Sequence, residues 1–107
     1  MTYTPVPDTP VASTIVAMTS ESLNRCDLSD RETMIARIAA LAASGAPAIS
    51  YTFNAAAAAV SGLTEDDAKG ILVAVAPVIG SSRTVAAAQA ISEGLGIMIA
   101  LLEEAAE

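Results

Sequence analysis

Thr64-Glu65-Asp66-Asp67-Ala68-Lys69-Gly70-Ile71-Leu72-Val73-Ala74-Val75-Ala76-Pro77-Val78-Ile79-Gly80 admits two readings that lead to different folds. The aliphatic, partly β-branched run from Ile71 to Ala76 suits a buried strand. The residues before it oppose a strand. Thr64 offers a hydroxyl cap, and Glu65, Asp66 and Asp67 place three carboxylates where a helix dipole is positive, each stabilising by roughly 0.3–1 kcal/mol. No other stretch shows the alternation of a partner strand. The segment is predicted as a helix with Ala68, Leu72, Val75 and Ile79 inward. Pro77 should kink it, because that residue lacks the N–H of one i→i−4 bond, and Gly80 ends it.

Working upstream, Pro47 opens a helix through Ile49, Phe53, Ala56 and Val60, spaced 4, 3 and 4, which Gly62 stops. This is the clearest single-face pattern in the chain. Before it, Ser29-Asp30-Arg31-Glu32 is a capping box, in which hydroxyl and carboxylate exchange backbone N–H groups. The helix it opens has Met34, Ile38 and Leu41 on one face, with Arg31 away from it, and ends near Ser44-Gly45. Asp8-Thr9-Pro10 starts a first helix that runs to about Asn24 with Val11, Ile15, Met18 and Ser22 in a 4-3-4 rhythm. Residues 1–7, with two prolines, read as an extended arm. Downstream, Ser81 or Ser82 caps a last helix from Thr84 to about Glu104, burying Val85, Ala88, Ile91, Leu95, Met98 and Leu102. Gly94 and Gly96 weaken its interior by about 1 kcal/mol each, so they mark either a close helix-to-helix approach or a break into two shorter helices. The expectation is an all-α, antiparallel bundle of about five helices, forming a single domain over residues 8–107.

Composition narrows the function. Of 107 residues, 53% are hydrophobic and 16% charged, which excludes intrinsic disorder. One cysteine, Cys26, allows no intrachain disulfide, and the lack of any histidine leaves no zinc or haem site, so no metal or cofactor is expected. A formal charge of −7, with Arg25, Arg31, Arg37, Lys69 and Arg83 scattered singly, argues against nucleic acid and against an anionic membrane surface. Between Arg37 and Glu65 lie 27 uncharged residues, but Ser44-Gly45, Pro47, Asn54 and Ser61-Gly62 interrupt them, so no ~20-residue apolar span survives. The first eight residues have neither the basic region nor the apolar core of a signal peptide. A soluble, cytoplasmic protein is expected.

Alanine supplies much of the apolar share, while aromatics are 3%. At about 25 cal/mol per Å² of buried apolar surface, an alanine core stabilises a small domain weakly. With so few charged residues to cover the outward faces, burial of a second helical face against another copy is the expected remedy. A homo-oligomer is predicted.

The order of these signals, from Leu28-Ser29-Asp30-Arg31-Glu32 through Ser44-Gly45 and Ser61-Gly62-Leu63-Thr64-Glu65 to Gly80-Ser81-Ser82-Arg83, resembles the carboxymuconolactone decarboxylase and AhpD-like alkylhydroperoxidase superfamily over residues 8–105. The resemblance implies an all-α fold and a trimer or hexamer. The family's peroxidase branch carries Cys-x-x-Cys with a histidine four residues on, eight residues before the Gly-Leu turn. Those positions are Pro47, Ser50 and Asn54 here. Proline and serine form no redox dithiol, and asparagine shuttles no proton near neutral pH. The decarboxylase branch also needs histidine at the Asn54 position. A glutamate expected early in the second helix falls near Met34, and Glu32, two residues away, is committed to its cap. No catalytic residue is therefore assigned, and thiol peroxidase activity is not expected. Pro47, Ser50, Tyr51, Asn54 and Glu32 are the candidate remnants of a pocket that holds a small molecule.

Three readings follow: a binding or assembly homo-oligomer without the family's chemistry; a divergent enzyme of lactone or aromatic-acid metabolism using Tyr51, Glu32 or an arginine as acid/base; or a structural subunit of a catalytically complete paralogue. Tyr51 reads either as that phenolic group or as a packed ring whose hydroxyl bonds outward. Cys26, with no histidine to activate it, reads as an inert thiol.

Overall fold

The computed structural model describes residues 9–99 and 101. Every regular element among them is helical: α1 (Pro10–Arg25), α2 (Asp30–Ser44), α3 (Ala48–Thr52), α4 (Ala55–Val60), α5 (Glu65–Ile79) and α6 (Ser81–Leu95). The arm expected over residues 1–7 lies outside the described residues, as does Leu102.

Local chemistry sets most helix ends. Ser29 Oγ accepts from the Glu32 N–H and the Ser29 N–H donates to Glu32 Oε1, each at 3.0 Å. Thr64 and Asp67 repeat the exchange at the start of α5, at 3.1 and 2.8 Å. Gly45 (φ 73°) closes α2 in the left-handed conformation that a side chain disfavours, and the Ala46 N–H returns to the Leu41 carbonyl at 3.0 Å. Pro77 lies inside α5, where the carbonyl it leaves without its i→i−4 donor belongs to Val73, an exposed residue.

Four expectations need correction. The single helix expected from Pro47 to Gly62 is two, so the described residues hold six helices rather than five. The break is at Asn54: its N–H turns to the Tyr51 carbonyl (2.9 Å), while its side-chain amide takes the Ser50 carbonyl (3.0 Å) that an unbroken helix would give to the backbone. The inward face of this pair is also reversed. Tyr51, Asn54 and Ala58 are buried, whereas Ile49 and Val60 are 57% and 85% exposed.

The last helix starts at Ser81 and ends at Leu95. Gly80 terminates α5 and caps α6 at once, which leaves no room for a Ser81 or Ser82 side-chain cap. Gly96 (φ 71°) stops α6 well short of Glu104, so Met98 is neither helical nor buried, and Val85 is exposed. Finally, α1 buries no residue: Val11 and Met18 are exposed and Ile15 is half-buried.

The core is one cluster around α6. Ala87, Ala88 and Ile91 meet Ile38 and Ala42 of α2, Tyr51 of α3, and Ala68, Ile71 and Leu72 of α5. Helices α2, α3 and α5 all pack on α6, and α3 approaches it most intimately, at Gly94. A Cβ built there would lie 2.4 Å from the Ala48 carbonyl oxygen and 2.7 Å from Tyr51 Cβ. Of the two roles foreseen for the interior glycines, Gly94 takes close approach and Gly96 takes the break. The Thr52 hydroxyl reinforces this contact, lying 3.1 Å from the Gly94 carbonyl and 3.3 Å from that of Ala48.

Candidate functional site

Pro47, Ser50, Tyr51 and Asn54 occupy the α3 segment and its junction with α4. Pro47 is the exposed N-cap of α3. Ser50 is half-buried and lends its carbonyl to Asn54. Tyr51 is fully enclosed in the core cluster, and its hydroxyl has no hydrogen-bond partner among the described residues. Burial pushes its phenol above the ordinary tyrosine range. The ring packs as one reading had it, but the hydroxyl does not reach outward.

Asn54 is 9% exposed and bonded at both ends of its amide. Its amide donates to Ser50, and its Oδ1 accepts from Arg37 Nη1 at 3.2 Å. Arg37 Nη2 donates in turn to the Thr19 carbonyl at 3.1 Å, so one guanidinium links α1, α2 and the α3–α4 break. Glu32 stands apart from this group at the head of α2. The Ser29 backbone N–H, and then the Ser29 hydroxyl, hold its carboxyl below the usual carboxylate range.

Other arginines are structural in the same way. Arg31 grips Asp67 with two parallel bonds (2.8 and 2.5 Å) and also reaches the Gly62 carbonyl at 3.3 Å, joining the first turns of α2 and α5. That guanidinium, together with the Thr64 N–H, holds the Asp67 carboxyl far below the ordinary carboxylate range. Arg83 donates to the Ala43 carbonyl at 2.6 Å, where α2 leaves carbonyls unpaired. Sequence reasoning missed these ties. The sole clue was Arg31 lying off the apolar face of α2; nothing local names a partner more than thirty residues away.

Of four hollows described on the surface, the largest, of about 660 Å³, is bordered by Pro47 together with Gln89, Ser92 and Glu93 of α6. Its volume falls within the ~300–1,000 Å³ of small-molecule sites. Ser50, Tyr51, Asn54 and Glu32 border none of the four. The candidate residues thus divide into a rim position, a buried and satisfied amide junction, and a helix cap.

Cys26, half-buried at the end of α1, lies 3.3 Å from the Thr33 hydroxyl. Among the described residues no group of three or more metal-ligating side chains converges, and no helix is long and apolar enough to cross a membrane. No protein-family model, curated protein or solved structure matches the chain.

Proposed function

We propose that the chain is a helical homo-oligomer, similar in plan to carboxymuconolactone decarboxylase-like proteins but without their thiol-peroxidase or histidine chemistry, which works by assembly and by holding a small molecule. It is proposed to do so in the cytoplasm. The observation that carries the assembly part is the balance between core and surface. Among the described residues, eleven apolar side chains are buried, and five of these are alanines. Eleven large apolar side chains, including Val11, Met18, Val60, Val73 and Val78, are exposed. A core this light, with six side chains larger than alanine, leaves more large apolar groups outside than it holds, and contact between copies removes them from water.

The chemistry of the α3 segment supports the rest. Pro47, Ser50 and Asn54 carry neither thiol nor imidazole, and Asn54 is bonded at both ends of its amide. The Pro47-bordered hollow, with Gln89, Ser92 and Glu93 on one side, is the place offered to a ligand.

Two measurements test this reading. Light scattering is expected to give a mass that is a multiple of 10.7 kDa, and a lone protomer overturns the assembly. A thermal-shift screen of small organic acids and alcohols, run on the parent and on Gln89→Ala, should find shifts that Gln89→Ala diminishes. Turnover of an organic hydroperoxide with a dithiol would refute the absence of peroxidase chemistry.

A further inference from the structure

Helix α1 has little to hold it in place. Its inward stripe is Ala12, Ile15, Thr19 and Leu23, each only half-buried, while Val11, Val16 and Met18 are exposed. Its sequence is a poor helix former. Thr14, Ile15, Val16 and Thr19 are β-branched, and Ser13, Ser20 and Ser22 compete for backbone groups. Thr9 caps it without a side-chain bond, and the Ser13 and Thr14 hydroxyls turn back to the Pro10 carbonyl. Sixteen residues of that composition do not persist as a helix alone in water. This segment is helical because it is docked.

Three ties dock it. Arg37 Nη2 donates to the Thr19 carbonyl at 3.1 Å, Leu23 borders a hollow of about 250 Å³ together with Met34, Ala56 and Ala57, and Cys26, just past the helix, lies 3.3 Å from the Thr33 hydroxyl. Both oxygens that Arg37 holds are neutral, so this tie lacks the mutual attraction of Arg31 for Asp67. The part of α2 beneath is separate from the main core. Met34 is 1% exposed, yet it stands outside the cluster around α6. No residue of α1 belongs to that cluster or packs against it, so the cluster stays closed on itself when α1 leaves. Elements with few buried contacts are the ones that open below the global unfolding limit.

We propose that α1 is a latch, which opens about the Cys26–Leu28 connection while α2 to α6 stay folded, and which in opening uncovers Met34 and frees one arm of the Arg37 guanidinium. Three positions apart, Met34 and Arg37 neighbour each other on α2, so the opened molecule presents a thioether beside a cation that the closed one conceals. This goes beyond the assembly reading and concerns each protomer by itself.

Hydrogen exchange of the full chain, read by mass spectrometry, tests the opening. In the parent, the Thr14 to Arg25 amides should exchange on the order of 100-fold faster than those of Ala87 to Ile91. Arg37→Leu should speed α1 exchange by roughly tenfold or more, as befits a lost bond to a charged group. Leu23→Ala should speed it too, and Arg83→Leu, which removes a tie elsewhere on α2, should leave it at the parental rate. Hydrogen peroxide reads what is uncovered: it passes one oxygen to a thioether, giving sulfoxide and water. Met34 oxidation should rise by the same factor as α1 exchange, while that of Met18 and Met98, 64% and 73% exposed, stays constant. Where Arg37→Leu also lowers protection in α6, Leu23→Ala decides. Equal protection of α1 and α6 in the parent overturns the latch, as does Met34 oxidation unmoved by Leu23→Ala; both leave the assembly reading standing.

Discussion

Replacing Gly94 by alanine separates two physical effects of opposite sign. Considered as a position in α6, Gly94→Ala gains about 1 kcal/mol of helix propensity. Considered as a contact, the new methyl would sit 2.4 Å from the Ala48 carbonyl oxygen and 2.7 Å from Tyr51 Cβ. Restoring an ordinary separation of roughly 3.5 Å requires α6 to retreat from α3 by about 1 Å. Neither obstacle is the free end of a flexible side chain, so the movement is imposed on the packing of Tyr51 and Ile91, both fully buried. Overpacking of this kind costs about 1–3 kcal/mol, and a backbone clash belongs at the top of that range. The net expectation is a loss of roughly 2 kcal/mol after the propensity gain, or a melting temperature lower by about 8–16 °C for a domain of this size. Gly70→Ala is the internal control. It lies in α5 with nothing within 4 Å of a built Cβ, and should stabilise by about 0.5–1 kcal/mol. Thermal and urea unfolding followed by circular dichroism at one fixed protomer concentration reads both variants. Gly94→Ala as stable as the parent, or more so, would refute the close α3–α6 contact.

Three further outcomes are expected. Tyr51→Phe removes a buried hydroxyl that has no partner among the described residues, so stability should hold or rise by up to about 1 kcal/mol; a loss beyond that in urea unfolding would reveal a bonded hydroxyl. Asn54→Ala strips the acceptor from Arg37 and the bridge to Ser50, and should destabilise by about 1–3 kcal/mol, with Arg37→Met less than additive in the double variant. Asp67 has a folded-state acidity held far below its unfolded value near ~3.9, so the unfolded chain binds more protons between those values and stability rises with pH there. The contribution is complete above about pH 5 and fades as pH falls toward the folded value. Asp67→Asn should flatten that acid limb, and an unchanged acid profile in the variant would contradict the Arg31–Asp67 grip.

What the sequence revealed correctly was local. The Ser29/Glu32 and Thr64 caps and the glycine stops at Gly45 and Gly62 involve residues within one turn of each other, so their spacing suffices. Periodicity was less informative. The spacing of Ile49, Phe53, Ala56 and Val60 does not say whether that side meets the core; Ile49, Ala56 and Val60 are exposed, and Tyr51 is the group enclosed. Asn54 stands where the resemblance expects histidine, and nothing in its spacing announces that its amide breaks the helix there. Ser81 and Ser82 carried the right chemistry for a cap, yet α5 and α6 share Gly80 as their link. The arginine ties of Arg31, Arg37 and Arg83 are tertiary, and no spacing rule reaches them. The legible part of the candidate site was the chemistry missing from Pro47, Ser50 and Asn54; the enclosure of Tyr51 was not legible.

The central place of α6 bears on the order in which the molecule can be made. Ile38, Ala42 and Tyr51 emerge from synthesis early, but their shared packing partners Ala87, Ala88 and Ile91 come later by some forty to fifty positions. Until those residues arrive, the first half of the chain has its caps and turns but no cluster to close around. Maturation is then a late, concerted event, and a fragment ending at Gly80 should leave flickering helices without a cooperative melt.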